Sequence, residues 1–302
     1  MLDVPSEELL DSVFQTLAYA DVFEYPLTVG ETFRYLTSTK ASFEQVTQAL
    51  AEASIFTSTG DYFTLRGREH LVAIRKRRAE IAARLWPKAA RYGRLISSLP
   101  FVRMVAVTGS LAVDNTDEDK DIDFMIVAAP GRLWTVRALV LLVARFANLE
   151  RIHLCPNYLV TTNALELKER SLYVAHELAQ MIPLSGMQVY DEMRQRNDWI
   201  REYLPNASGA PALPPSAAQA STIFAVQKTL EILFGFPAFA WFERWEMDRK
   251  ISRLRREQSS SVESYFSRDV CKGHVDKHGK SVEAALAVRL QKMAELASTE
   301  TT

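Results

Sequence analysis

Met104-Val-Ala-Val-Thr-Gly-Ser110, a spacer of ten residues and then Asp121-Ile-Asp-Phe-Met-Ile-Val127 make up the stretch on which the reading of this chain turns. Met104 to Val107 patterns as a short apolar strand, and Asp121 to Val127 as a second. Side chains alternate between the faces of a strand, so Asp121 and Asp123 share one face while Ile122, Phe124 and Ile126 take the other. Two carboxylates side by side repel each other and are costly to bury, and a divalent cation relieves that cost. Mg2+ suits the task because it takes one or two carboxylates together with substrate phosphate oxygens. Gly109 lets the backbone approach a ligand closely. Its neighbouring N–H groups, with the Ser110 hydroxyl, suit a phosphate at the start of a short helix.

This order of strand, Gly-Ser turn, spacer and Asp-x-Asp strand resembles the signature of the DNA polymerase β-like nucleotidyltransferases, over about residues 101–160. The resemblance implies that Gly109 and Ser110 contact the phosphates of a nucleoside triphosphate, and that Asp121 and Asp123 are catalytic metal ligands. It implies a two-metal Mg2+ site that stabilises the attacking and leaving oxygens of an in-line displacement. The implied reaction moves a nucleoside monophosphate from the triphosphate to an acceptor, which is open among RNA, a small molecule and a protein.

Two positions depart from the family pattern. Many members continue Gly-Ser with Ala-Arg-Gly, where this chain has Leu111-Ala-Val. The family's third acid comes from a later strand, here expected near Ile152 to Val160 after a helix at Leu133 to Ala147. The position most like it is Asn157, with Cys155 and Leu159 expected on the same face. An amide oxygen can coordinate a metal, but it brings no charge and is no base at neutral pH. A second ion is therefore expected to bind weakly, with Asp191, Glu166 and Asp119 as substitute acids. The alternative function is a catalytically reduced member that acts as a nucleotide-binding or protein-interaction module.

Helical patterns at residues 6–23, 29–36 and 43–53, followed by a hairpin pattern at 54–65 around Thr59-Gly60-Asp61, predict a winged-helix-like unit over residues 1–66. Its third helix carries no basic residue, and residues 1–61 hold ten acids against Arg34 and Lys40. Such a surface repels duplex DNA, so a protein contact is the favoured role. Residues 66–94 reverse the balance, with ten basic side chains against Glu69 and Glu80. Leu71, Ile74, Ile81, Leu85, Tyr92 and Leu95 give this segment helical spacing, which predicts a connecting helix over 67–100, bent at Pro87. Its charge is a solvated helix face, pairs with the acidic N-terminal unit, or tracks a phosphate-bearing acceptor beside an active site.

The expected fold class is α/β of the α+β kind: a small mixed sheet over residues 101–204 with helices on one side, then a helical region over 219–302. Between them Pro205, Pro211, Pro214 and Pro215 mark a linker. A net charge of −1, with 48% hydrophobic and 24% charged residues, is the balance of a folded chain of two or three units. Leu133 to Phe146 is too short to cross a bilayer and carries Arg137 and Arg145, while Gly235 and Pro237 interrupt Leu230 to Trp245, so no membrane span is expected. Cys155 and Cys271 lie far apart and no charged-then-apolar leader opens the chain, which points to the cytoplasm. Leu165 to Tyr203 is expected to be mostly helical, interrupted near Pro183 and Gly186, and His176, beside its apolar face of Leu172, Ala175, Leu178 and Ala179, is read as structural. Cys271, His274 and His278, with Asp276, have metal-like spacing but a thiolate-poor donor set for zinc. Lys272, His274, Lys277, His278 and Lys280 are read instead as a basic loop near phosphates or an RNA partner.

Overall fold

The computed structural model describes residues 5–118, 121–214, 224–234, 237–257, 266–272 and 278–300. Helix α1 (Glu7–Val22) begins where the Ser6 hydroxyl accepts from the Leu9 N–H at 3.2 Å, with Glu7 and Glu8 in the first turn facing the helix dipole. After β1 (Leu27–Thr28), reciprocal capping by Thr28 and Glu31 starts α2 (Val29–Arg34), and Ser42 with Gln45 starts α3 (Phe43–Glu52) in the same way. Strands β2 (Phe56–Thr59) and β3 (Tyr62–Leu65) complete a three-stranded antiparallel sheet of order β1-β3-β2. Leu17, Leu36, Val46 and Leu50 are buried beneath it as the core of this unit.

Helix α4 (Leu71–Ser97) runs through Pro87 and lays Ala82, Trp86, Ala89 and Ile96 into a second, larger core. Four of its eight basic side chains, Arg75, Arg78, Arg84 and Arg91, pair with protein carboxylates, while Lys76, Arg77, Lys88 and Arg94 are exposed. Arg75 pairs with Glu31 at 3.0 Å, and Arg78 with Glu24 at 3.0 Å and Asp117 at 3.2 Å; just before the helix, Arg68 pairs with Asp21 at 2.7 Å. For these residues the pairing with the acidic N-terminal unit is the role the structure gives. Arg75 is 6% exposed. It donates to the carbonyls of Val113 and Asp114, to the Tyr25 hydroxyl and to Glu31, so one guanidinium joins α2, α4 and the loop at 113–114.

The second sheet is mixed and five-stranded, in the order β7-β4-β5-β6-β8. It is built from β4 (Val102–Val107), β5 (Ile122–Ala128), β6 (Leu154–Thr161), β7 (Ile182–Ser185) and β8 (Val270–Lys272). The short α5 (Gly109–Ala112) lies between β4 and β5, and α6 (Leu133–Leu149) is the crossover that makes β5 and β6 parallel; the other pairings are antiparallel. Helices α7 (Leu172–Gln180), α8 (Met187–Arg196) and α9 (Ile200–Tyr203) follow β6, with β7 between α7 and α8. The class is therefore mixed α/β, as expected.

Three features depart from the sequence-based expectations. Helices cover both faces of the sheet rather than one: Ile122, Phe124 and Ile126 pack toward α4 and α6, while Met125 and Val127 pack toward α7 and α8. The cause is that Phe124 to Ala128 are all buried, a continuous apolar run that leaves no face for water. The segment expected to be helical with an interruption near Pro183 contains β7, an edge strand where the missing proline N–H costs no central ladder bond. The C-terminal region is not purely helical, because β8 adds to β6.

Along the chain α10 (Phe224–Phe234) and α11 (Pro237–Glu257) precede β8, and α12 (His278–Glu300) follows it. Glu243 of α11 accepts from the N–H groups of Trp134 and Thr135 at 2.9 and 2.7 Å, supplying from a distant segment the N-terminal cap that α6 lacks locally. Helix α12 returns to α1, with Leu286 and Leu290 on the N-terminal core and Arg289 on Asp21 at 2.8 Å. No helix among the described residues is long and apolar enough to cross a membrane.

The N-terminal unit seats on α7 through Tyr19, whose ring stacks on His176 at 3.9 Å. Burial pushes the His176 pKa from 6.5 down to about 3, so the ring is neutral in the folded chain. Below pH 6.5 the unfolded chain binds a proton that the folded chain refuses until about pH 3, so this site subtracts stability as pH falls between those values. His176→Phe should therefore lose less stability than wild type between pH 7 and pH 4 in denaturant titrations. Parallel pH profiles for the two proteins would contradict the neutral, buried ring.

Candidate functional site

The extended backbone of β4 continues through Thr108 and then turns sharply at Gly109, which has φ +65°. Val107 stands opposite Phe124, and the Thr108 N–H donates to the Asp123 carbonyl at 3.1 Å, so the turn lies alongside Asp123. A Cβ atom on Gly109 would fall 2.6 Å from Asp123 Oδ2. Glycine is therefore required here twice over, by the left-handed backbone and by the closeness of the carboxylate. Ser110 is half-buried on α5, Asp121 is exposed just ahead of β5, and Asp123 is half-buried within it.

On the neighbouring strand Asp123 stands opposite Cys155, but Met125 stands opposite Tyr158, so two residues of β6 face one of β5 in between. This irregularity shifts the alternation. Tyr158 and Val160 pack toward α7, Leu159 packs on the α6 side, and Asn157 lies in the irregular stretch. The expected common face of Cys155, Asn157 and Leu159 is thus broken by the shift, and it is Cys155 that the register sets opposite Asp123. Its thiol hydrogen-bonds to the Asp123 carboxylate. Burial first, then the charges of Asp123 and Asp121, push its pKa up to about 12, so at neutral pH it is an S–H donor rather than a thiolate.

Glu177 on α7 is the acid that comes nearest in electrostatic terms. Desolvation first, then the negative charge of Asp123, raise its pKa to about 7, while Lys272 opposes the shift. Lys272 sits on β8 opposite Tyr158 and pairs with Glu169 at 3.0 Å. Asp121, Asp123, Cys155, Glu177 and Lys272 thus form one charged group gathered from β5, the residue before it, β6, α7 and β8. The substitute acids are engaged elsewhere or undescribed: Glu166 pairs with Arg170 at 3.4 Å, Asp191 acts on Tyr190, and Asp119 lies outside the described residues.

Glu177 was not singled out from the sequence, although it is the only acid in Leu172–Gln180, beside the structural His176. Lys272 was, as part of a basic loop. Of that loop and the zinc-like spacing, His274, Asp276 and Lys277 lie outside the described residues, while Cys271 packs in the core cluster with Ile126 and Trp134.

Among the described residues, no group of three or more His, Cys, Asp and Glu side chains is arranged to hold a metal ion. Asp121 and Asp123 supply two carboxylates whose charges both reach Cys155. That donor set fits Mg2+, which completes its shell with water and phosphate oxygens. Compared with known protein families, curated proteins and solved structures, the chain finds no match.

Gly60 has nearly the same backbone as Gly109, φ +63°, but open space where a Cβ would go. Gly60→Ala should cost about 1–2 kcal/mol from the backbone alone. Gly109→Ala should cost roughly 1–3 kcal/mol more, because Asp123 must also move. Equal losses in chemical denaturation would refute the close approach.

Proposed function

We propose that this chain is a DNA polymerase β-like nucleotidyltransferase, transferring a nucleoside monophosphate from a triphosphate to an acceptor hydroxyl or amine with release of pyrophosphate. The observation that carries this reading is the contact between the Gly109 turn and the Asp123 carboxylate, since it unites the two halves of the Gly-Ser and Asp-x-Asp pattern. In this reading Asp121 and Asp123 hold Mg2+, and Gly109 and Ser110 hold the triphosphate. Bound there, Mg2+ would supply positive charge to the phosphate oxygens and to the acceptor oxygen.

The chain's own residues have separable tasks. The turn at Gly109 offers backbone N–H groups to phosphate, and Lys272 adds a positive charge at the β6–β8 edge. Glu177, whose pKa burial pushes up to about 7, is the candidate to take the acceptor's proton as its oxygen or nitrogen bonds to phosphorus. This assigns to α7 the acid that the pattern would otherwise seek at Asn157. The N-terminal unit is read as a winged helix, and the basic-free α3 favours contact with protein over duplex DNA. A cytoplasmic location belongs to the same reading, in keeping with two free cysteines.

A specific observation favours a second reading, a nucleotide-binding or interaction module with reduced catalysis: the residue opposite Asp123 is a neutral thiol, which adds no negative charge for a second ion. Calorimetric titration of each nucleoside triphosphate, with and without Mg2+, into wild type and Asp121→Asn/Asp123→Asn protein tests both. Mg2+-dependent binding that the double variant loses is expected. No binding by wild type would end the transferase reading and leave the interaction module, and binding without pyrophosphate release toward any acceptor would select a nucleotide-binding module.

A further inference from the structure

Helices α4 and α6 cover the same face of the five-stranded sheet, the one opposite α7. Their outward sides differ in character. On α4, Lys76, Arg77, Arg84, Lys88, Arg91 and Arg94 are exposed. At the helical period these residues fall within about a third of the circumference, and they run for about 27 Å along the axis. Glu80 is the only acid of α4. Arg84 and Arg91 pair with Glu118 and Glu150 at 3.3 and 2.6 Å, both at the surface, while Lys76, Arg77, Lys88 and Arg94 form no ion pair among the described residues.

The outward side of α6 is apolar. Leu142, Phe146 and Leu149 follow one another at helical spacing and are 47%, 59% and 81% exposed, with exposed Arg145 among them. Single exposed apolar side chains are ordinary, but a row of them on one side of a helix calls for a partner. Arg91 joins the two sides at the surface, since it stands midway around the basic arc and reaches Glu150, the residue after Leu149. Basic stripe and apolar ridge are therefore neighbours on one surface. A nucleic acid would neutralise the stripe, yet it has no use for the aliphatic ridge, and the exposed side of α4 carries no aromatic ring on which bases stack. A second copy would cover the ridge, yet a two-fold contact through this face would bring one basic stripe up to another. An anionic bilayer answers both features, because its headgroups attract the stripe and its acyl boundary accepts Leu and Phe.

We propose that the outward face of α4 and α6 docks on an anionic membrane surface, with Leu142, Phe146 and Leu149 at the boundary between headgroups and acyl chains and the bases of α4 among the anionic headgroups. Such peripheral contact needs no spanning helix. Glu177 lies with α7 against the other face of the sheet, so the docking surface is apart from the proposed transfer reaction and does not depend on it.

Cosedimentation of the full chain with vesicles of phosphatidylcholine and phosphatidylserine, against vesicles of phosphatidylcholine alone, tests this. Wild type is expected to pellet with the mixed vesicles, to be released by added sodium chloride, and to stay in solution with phosphatidylcholine alone. Lys76→Gln/Lys88→Gln/Arg94→Gln should weaken binding about a hundredfold, from roughly fivefold for each charge removed. Phe146→Ser/Leu149→Ser should weaken it at unchanged charge. All five side chains are exposed, so both variants should melt with wild type. Wild type that does not pellet, or Phe146→Ser/Leu149→Ser that pellets as wild type does, would overturn the proposal. A wild-type dimer in analytical ultracentrifugation that Phe146→Ser/Leu149→Ser abolishes would overturn it in favour of a second copy. Tighter binding to single-stranded RNA than to the vesicles, lost in the charge variant and kept in the apolar one, would overturn it in favour of nucleic acid.

Discussion

Asp123 holds a carboxylate at the head of a strand whose following residues, Phe124 to Ala128, are entirely buried. A charge in that position is tolerated only if its surroundings answer it. They do so from several directions. The Gly109 turn approaches within contact distance, the Cys155 thiol donates a hydrogen bond, and Glu177 gives up part of its own ionisation. Each comes from a different element, so the order of strands β4, β5 and β6 and the placement of α7 are what make the carboxylate tolerable.

The N-terminal unit is tied into this arrangement through charge. Its acids meet bases of opposite sign: Asp21 pairs with Arg68 just before α4 and with Arg289 of α12, and Glu24 and Glu31 pair with Arg78 and Arg75 of α4. Exposed pairs of this kind contribute little singly, about 0–1 kcal/mol each. Arg75 differs because it is buried and also holds the carbonyls of Val113 and Asp114. These residues follow α5 on the way to Asp121, so the docking of the N-terminal unit bears directly on the path between the Gly-Ser turn and the aspartates. Of the positive charge on α4 that looked available for a phosphate-bearing acceptor, Arg75 and Arg78 are taken up in this joint, while Lys76, Arg77, Lys88 and Arg94 stay exposed.

Much of the local structure was legible in the sequence, and the reason is periodicity. The alternation in β5 separated Asp123 from Ile122, Phe124 and Ile126, and the helical spacing around Ile81, Leu85 and Tyr92 marked α4. What escaped was set by pairing across long separations. The β6 irregularity after Cys155 has no signature in composition, yet it shifts the face of every residue beyond it. Strands β7 and β8, with four and three residues, are too short to show a period, and Pro183 in the first reads as a break between helices. Glu177 reaches the site only because α7 folds back over the sheet, which no spacing along the chain reveals.

The most direct measurement is an anomalous-diffraction map of crystals grown with Mn2+ and a non-hydrolysable nucleoside triphosphate. A manganese peak shared by the Asp121 and Asp123 carboxylates, with phosphate density against the Gly109–Ser110 backbone, is the predicted result. Metal and phosphate density elsewhere, with Asp123 bonded to Cys155 alone, would contradict the account.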